Sequence, residues 1–171
     1  WGYYFDESNG ANYTVIGDDR FTTDTEMAGL GIEYGDRTDR SYNSTSVVIG
    51  QSVTTQLMLG GRRNFSLFRP DLSLKAFQRV GEFSRKTAMV SDDLIVMHIE
   101  AARDLFDMRS SEVTDLLVSV VNPAEIDTIA RKISENIDGS RVITKRQVAK
   151  TYRAAFGWRS GVGLACLFGA I

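Results

Sequence analysis

The chain has 171 residues, of which 43% are hydrophobic and 25% charged, enough apolar material for one fair-sized core or for two small lobes. Its 20 basic residues against 22 acidic ones leave a formal charge of −2, which gives no broad basic field for binding a nucleic acid backbone. The single cysteine, Cys166, excludes an intrachain disulfide, and with one histidine a zinc site would have to rest mainly on carboxylates.

The first 17 residues predict a β-hairpin. Two strand-like segments, Tyr3–Phe5 and Tyr13–Ile16, flank the turn-forming sequence Glu7-Ser8-Asn9-Gly10. The aromatic residues Trp1, Tyr3, Tyr4 and Phe5 suit a stacking platform or a binding lip, but alternating aromatic residues in a hairpin more often belong to the core. The polar stretch 18–46 that follows predicts a long loop, and loops of this length are usually functional or mobile.

The middle of the chain predicts short strands and two helices. Val47–Ile49 is typical of a buried strand, and Gly50 leads from it into a helix with Val53 and Leu57 on one face. The remaining elements predicted here are strands over 64–68, 72–83 and 94–97, and a helix over 99–108 with Ala102, Leu105 and Phe106 directed inward.

The segment 113–143 predicts a β-α-β unit. Val113–Val121 is apolar on both faces, which is typical of a central strand with a neighbour on each side. Asn122 and Pro123, with Glu125 two residues later, form a helix N-terminus signature, and Gly139 lies just past the predicted helix end. Arg141–Ile143 returns as a strand. The predicted buried stripe of the helix comprises Ile126, Ile129, Ala130, Ile133 and Ile137, with Ile129 and Ile133 in the core.

A basic helix and an uncharged run end the sequence. From Lys145 onward the pattern is helical, with Val148, Tyr152 and Phe156 four residues apart. The run 160–171 is too short to span a bilayer, so it is either a buried C-terminal helix of a soluble domain or the first part of a transmembrane helix. Its closely spaced glycines and alanines favour the membrane reading. The predicted membrane-entry residues are Arg159, Gly161, Gly163, Leu164, Leu167 and Phe168.

The side chains that catalysis needs are missing or isolated in this sequence. His98 lacks a nucleophile elbow and is expected to be a partly buried structural residue. The acid pairs Asp18-Asp19 and Asp92-Asp93 lie in predicted turns, where solvated aspartates are common. We therefore expect no enzymatic activity, no cofactor and no metal site. Four further patterns are set aside: the glycine spacings Gly29-Leu30-Gly31 with Gly35 and Gly161-Val162-Gly163, and the short basic spots Arg62-Arg63 and Arg85-Lys86.

Several pieces of the sequence, taken in order, resemble the extracytoplasmic core domain of ABC-transporter permeases of the MacB/FtsX/LolC-E type. The resemblance covers residues 13–143, and His98-Ile99 departs from it, standing where the family often has Pro-Leu. The pieces that carry the resemblance are Tyr13–Gly17, Val47–Gly50 with Val53 and Leu57, Leu59-Gly60 with Phe65–Leu67, Phe77–Gly81, Asp93–Val96 leading to Glu100–Ala102 and Leu105-Phe106, and Asp115–Val120 leading to Ala124-Glu125.

The resemblance implies an α+β, two-lobed MacB-like periplasmic core domain. Residues 1–16 and 112–144 would form the β-α-β lobe, 17–111 an inserted strand-rich lobe, and 145–171 a stalk helix leading into a transmembrane helix. The family would place a transmembrane helix and a first β-α segment before Trp1, so we expect the natural protein to extend further in that direction.

By the same resemblance the chain is a non-catalytic module of an inner-membrane permease, with this domain on the extracytoplasmic side. It would couple the motion of a cytoplasmic ABC ATPase to export, lipoprotein release or an envelope partner. The implied partners are that ATPase, a second permease in a homo- or heterodimer, the membrane, and a periplasmic protein, but no nucleic acid.

One feature of the sequence opposes this orientation. Lys145, Arg146, Lys150, Arg153 and Arg159 precede the apolar run with no acid among them, and basic flanks usually face the cytoplasm. Two alternatives therefore stay open, a ligand-sensing ectodomain of a membrane signalling protein and a soluble binding domain with an apolar C-terminal helix.

Overall fold

The computed structural model describes residues 1–21, 32–34, 43–151 and 153–154. The predicted membrane-entry residues, Cys166, both glycine spacings, Tyr152 and Phe156 lie outside this part of the chain. The described residues belong to two compact units, 1–116 and 117–154. The boundary between the units falls between Leu116 and Leu117.

The first unit is built on a mixed seven-stranded sheet, which makes the fold α+β. Its order is β1-β2-β7-β4-β6-β3, and β5 also pairs with β6. The β2–β7 and β4–β6 pairs are parallel, and the other pairs are antiparallel. The strands are β1 (Gly2–Asp6), β2 (Ala11–Asp18), β3 (Ile32–Tyr34), β4 (Ser46–Ile49), β5 (Asn64–Phe68), β6 (Leu74–Phe83) and β7 (Leu94–His98).

Short helices connect these strands, and two longer ones follow in the second unit. The helices are α1 (Gln51–Gln56), α2 (Ala88–Ser91), α3 (Ile99–Leu105) and α4 (Ile126–Asn136), with 3-10 turns at Arg85–Thr87 and Pro123–Glu125. Residues 145–151 are also helical, as are 153 and 154, and we refer to these residues as the basic helix.

The core lies on both faces of the central strands. All four residues of β4 are buried, because Val47 and Ile49 face one apolar cluster and Val48 faces another. Helices α1 and α3 bury Val53 and Leu105 in the first cluster. The second, smaller cluster contains Phe21, Val48, Phe83 and Val96. The predicted buried strand, the hairpin and the strands over 64–83 and 94–97 are thereby confirmed, with small shifts at their ends.

Sheet membership differs from the prediction. The hairpin was expected to belong to the β-α-β lobe with residues 112–144, apart from the inserted lobe over 17–111. Instead Val15 of β2 pairs with Ile95 of β7, so the hairpin belongs to the sheet that contains β4, β6 and β7. One face of β2 packs against α3 and carries apolar side chains. This pairing therefore buries Tyr13 and Val15 completely.

The prediction of a central strand over Val113–Val121 is wrong. The segment carries no strand, and Leu117 is 82% exposed and Val121 fully exposed. A strand requires a hydrogen-bonded neighbour, and an apolar run with strong β propensity stays irregular where no sheet edge pairs with it. Residues 141–143 are likewise without strand structure, so the predicted β-α-β unit is reduced to its helix.

The start of that helix follows the predicted signature. The Asn122 side chain accepts a hydrogen bond from the Ala124 amide at 3.1 Å and donates one to Glu125 at 2.9 Å. Gly139 takes a φ of +74° just past the end of α4, a conformation that favours glycine. Ile129 and Ile133 are half-buried and therefore not core residues, contrary to the prediction.

Candidate interaction surface

The edge strand β1 presents aromatic side chains to solvent. Tyr3 is 68% exposed and Phe5 is 55% exposed, and the Trp1 ring meets the Tyr3 ring edge-to-face at 5.0 Å. Tyr4 points to the opposite face of the sheet, where its ring stacks on Tyr13 with centroids 6.3 Å apart. The expectation that this cluster belongs to the core is correct only for Tyr4, because successive residues of a strand face opposite sides.

A cleft of about 270 Å³ opens beside the start of β1, and we call it the aromatic cleft. Trp1, Tyr3, Phe106 and Met108 form its apolar wall. Arg103 also lines the cleft, where it donates to Glu100 at 2.6 Å and to the Glu112 carbonyl at 3.1 Å. The cation is thus already engaged by groups of its own chain.

A second cleft, of about 370 Å³, lies between β1 and the turn that joins β5 to β6, and we call it the hairpin cleft. Phe106 lines both clefts. The Tyr4 hydroxyl accepts a hydrogen bond from the Phe68 amide at 2.8 Å, which fixes the end of β5 against β1. Leu72 at the tip of the turn has a φ of +66° and is 77% exposed, an unusual placement for a leucine.

An ion-pair cluster fixes the β5–β6 turn to α3. Asp104 of α3 accepts hydrogen bonds from Lys75 and, at 2.8 Å, from Arg69. The hydrogen bond from Lys75 lowers the pKa of the Asp104 carboxyl, and the Arg69 guanidinium lowers it further. One carboxylate meets two cations here, so the cluster keeps a net positive charge beside the hairpin cleft, whose wall is otherwise mainly apolar.

His98 has a structural position. It ends β7, is half-buried, and its Nδ1 accepts a hydrogen bond from the Glu100 amide at 3.3 Å as the N-cap of α3. This agrees with the partly buried structural histidine that the sequence predicts. Its imidazole is held by the helix end and not by a nucleophile or a second acid.

The two acid pairs satisfy local hydrogen bonds. Asp18 accepts a bond from the Arg20 amide at 2.9 Å. Asp93 accepts one from the Thr14 hydroxyl at 2.9 Å, whereas Asp92 is half-buried and accepts bonds from the amide and the hydroxyl of Ser52. The prediction of a solvated turn residue is thus wrong for Asp92, whose carboxylate anchors the first turn of α1.

The basic spots at Arg62-Arg63 and Arg85-Lys86 are exposed, as expected. Within the ranges that the structure describes, no group of three or more His, Cys, Asp or Glu side chains is placed to hold a metal ion. Every helix in those ranges is too short or too polar to cross a bilayer.

Sequence reasoning missed the hairpin cleft. The signal for it was present in the turn sequence Phe68-Arg69-Pro70-Asp71-Leu72, where two large apolar residues flank turn-forming residues. The contact of this turn with β1 depends on tertiary pairing, which local pattern does not reveal.

No family model matches this chain. A search of curated proteins finds no significant relative.

Proposed function

We propose that this chain is a non-catalytic extracytoplasmic domain of an ABC-transporter permease of the MacB/FtsX/LolC-E type. The proposal includes a two-lobed, MacB-like arrangement of this domain. The domain passes the motion of a cytoplasmic ATPase to a substrate or an envelope partner outside the membrane.

The observation that carries the proposal is the contact of the basic helix with α4, together with the order of the sequence that follows it. Arg146 of the basic helix donates to both carboxylate oxygens of Asp127 in α4, at 2.8 and 3.0 Å. One guanidinium nitrogen makes both contacts, and this exposed ion pair links the two helices. In sequence, the uncharged run 160–171 begins shortly after the basic helix, an order that suits a connection between a domain and a membrane.

The larger unit supports the proposal through its surface. The exposed aromatic residues of β1 and the two clefts beside Phe106 form an apolar area suited to another protein. The catalytic candidates, in contrast, are engaged in a helix cap and in loop hydrogen bonds.

A flexible insertion tests the force-transmitting role. A Gly-Ser segment inserted at Gly157 of the full-length protein is expected to leave ATP hydrolysis by the partner largely intact and to abolish transport or release in cells. The same insertion between Gly60 and Gly61, where no atom lies within 4 Å of an added Cβ, is the control. Unchanged output after the Gly157 insertion at normal protein levels would show that the domain is a passive binding module.

A second candidate function is a ligand-sensing ectodomain, and the clefts favour it. Their volumes, about 270 and 370 Å³, fall near the lower end of the range of roughly 300–1,000 Å³ for small-molecule sites. The complete gene separates the two functions. Four membrane spans and an adjacent ATPase gene support the permease, whereas a kinase or methyl-accepting region after Ile171 supports the sensor.

A further inference from the structure

The last part of the chain has an extreme charge pattern. After Asp138 the sequence contains no acidic residue, whereas Lys145, Arg146, Lys150 and Arg153 all fall within the basic helix. All four side chains are exposed. A positive charge concentrated in this way attracts an anionic partner.

Helix geometry gathers these cations on one side. A residue advances about 100° around an α-helix, so Lys145, Arg146, Lys150 and Arg153 fall within an arc of about 140°. Val148 lies on the other side of the helix and is 57% exposed. The basic helix therefore has a cationic face, and the side away from it carries the polar residues Gln147 and Thr151 beside the single apolar side chain of Val148.

Most of this cationic face is unpaired. Arg146 is neutralised by Asp127, at 2.8 Å. Lys145, Lys150 and Arg153 form no ion pair with any acid in the described part of the chain. Three cations are thus available to a partner on one side of the helix.

We propose that this face binds the phosphate groups of anionic phospholipids at the bilayer surface. The argument is charge complementarity combined with sequence order, because the uncharged run 160–171 begins within seven residues of Arg153. A nucleic acid partner is disfavoured by the net charge of −2 for the whole chain. The inference rests on the proposed function in one respect, since it assumes that the run 160–171 meets a membrane.

This contact also accounts for the basic flank on the extracytoplasmic side. Cations bound to lipid phosphates orient the basic helix on the membrane. They therefore have a role in addition to their influence on membrane orientation. Each basic side chain near an anionic surface strengthens binding about fivefold, and three of them about 100-fold.

Vesicle sedimentation with the whole 171-residue chain tests the contact. The probes are vesicles of phosphatidylcholine alone and vesicles that also contain phosphatidylglycerol. We expect selective binding to the anionic vesicles, and the triple variant Lys145→Gln/Lys150→Gln/Arg153→Gln should lose about 100-fold of it at low salt. Binding to neutral vesicles should not change, and high salt should weaken only the anionic contribution.

The matched control is Arg62→Gln/Arg63→Gln/Lys86→Gln, which removes the same charge from exposed positions of the first unit. It should bind like the unchanged chain. The variant Lys145→Arg/Lys150→Arg keeps the charge and should retain binding, which separates charge loss from misfolding. Inorganic phosphate in excess should not displace the protein, because the face is proposed to require a surface of headgroups.

Equal binding to both vesicle types, equal losses in the triple variant and its control, or displacement by phosphate would each overturn the proposal. These outcomes are separate from the insertion test at Gly157. Lipid selectivity without an effect of the insertion would leave the membrane contact in place and remove the force-transmitting role.

Discussion

Gly50 joins β4 to α1 at a point where two backbone segments meet. Its amide donates to the Leu94 carbonyl at 2.8 Å, and a Cβ built on it would overlap the carbonyl oxygens of Ser91 and Asp92. Backbone atoms cannot rotate away as side chains can. The residue therefore allows the turn before β7 to pack directly on the start of α1.

We expect Gly50→Ala to lower the free energy of unfolding by about 3 kcal/mol or more, because the overlap forces the backbone to move. Urea denaturation followed by circular dichroism measures the change. Gly61→Ala is the control, since nothing lies within 4 Å of its added Cβ. Equal stability of both variants would show that Gly50 does not make the close approach described.

Tyr4 and Tyr13 link stability to alkaline pH. Burial raises the pKa of both phenols above their ordinary value of about 10. The folded protein then holds two protons that the unfolded chain releases. Their contribution is complete below about pH 10 and is lost as the pH rises through the folded pKa values.

The double variant Tyr4→Phe/Tyr13→Phe should flatten the fall of the urea midpoint above about pH 10. It should also lose about 1 kcal/mol per hydrogen bond at neutral pH, because the Phe68 amide and the Asn9 amide lose their acceptors. Tyr3→Phe removes an exposed phenol from the same strand and should keep the original slope. If the double variant keeps the same fall of the urea midpoint with pH, these two tyrosines are not the cause of that fall.

At the scale of elements, Asp104 connects α3 to the β5–β6 turn through Lys75 and Arg69. The Lys75 hydrogen bond lowers the pKa of Asp104 in the folded protein. The carboxylate therefore contributes stability above its unfolded pKa of about 4, and this contribution disappears as the pH falls through the lower, folded value.

We expect Asp104→Asn to reduce stability at pH 7 and to weaken the loss of stability below about pH 4. Because the carboxylate is 42% exposed, solvent screening keeps the effect near 1 kcal/mol. Guanidinium melts would mask an ion pair, so urea melts at both pH values are the measurement. Asp107→Asn, an exposed neighbour, is the control, and an identical pH profile for both variants would contradict the role of the cluster.

The sequence predicted well the elements that local sequence pattern is enough to recognise. Val47–Ile49 is apolar throughout and became the fully buried β4, and Asn122-Pro123 marked a helix start that the structure retains. The predictions that failed concern pairing. Val113–Val121 had strand composition but lacks a neighbour among the described residues, and β3 in a polar stretch forms because β6 offers it an edge.

The candidate surface was predicted only in part for the same reason. The aromatic residues near Trp1 are visible in the sequence, but strand alternation alone does not tell which face is covered. Which face is covered depends on α3 and β7. They bury Tyr4 and Tyr13 and leave Tyr3 and Phe5 exposed. The clefts on either side of Phe106 follow from this arrangement and have no local signature.

At the scale of the whole molecule, the boundary between the two compact units falls in an exposed, irregular segment. Leu116 and Leu117 are 81% and 82% exposed, and neither lies in a strand or helix. Proteases cut where the backbone lacks regular structure and burial.

Brief digestion with chymotrypsin, which cuts after aromatic residues and leucine, should therefore cut after Leu116 or Leu117 before any bond inside β6 or β7. Mass spectrometry of the fragments identifies the site. We expect the fragment 1–116 to retain a cooperative melt, because the sheet and both apolar clusters lie within it. Leu116→Gly/Leu117→Gly is the control that removes the preferred site, and early cutting within β6 or β7 would contradict the division.

The β2–β7 pair has a consequence for how the protein is made. Thr14 contacts Asp93 across 79 positions of sequence, so the hairpin acquires its inner neighbour only after β7 has been synthesised. At roughly 5–20 residues per second, the hairpin waits for on the order of ten seconds without that partner. We therefore expect closure of this long-range pair to be a slow step of folding, as in other chains rich in non-local contacts. The parts of the sheet on either side of β7 would then join only once β7 has been synthesised.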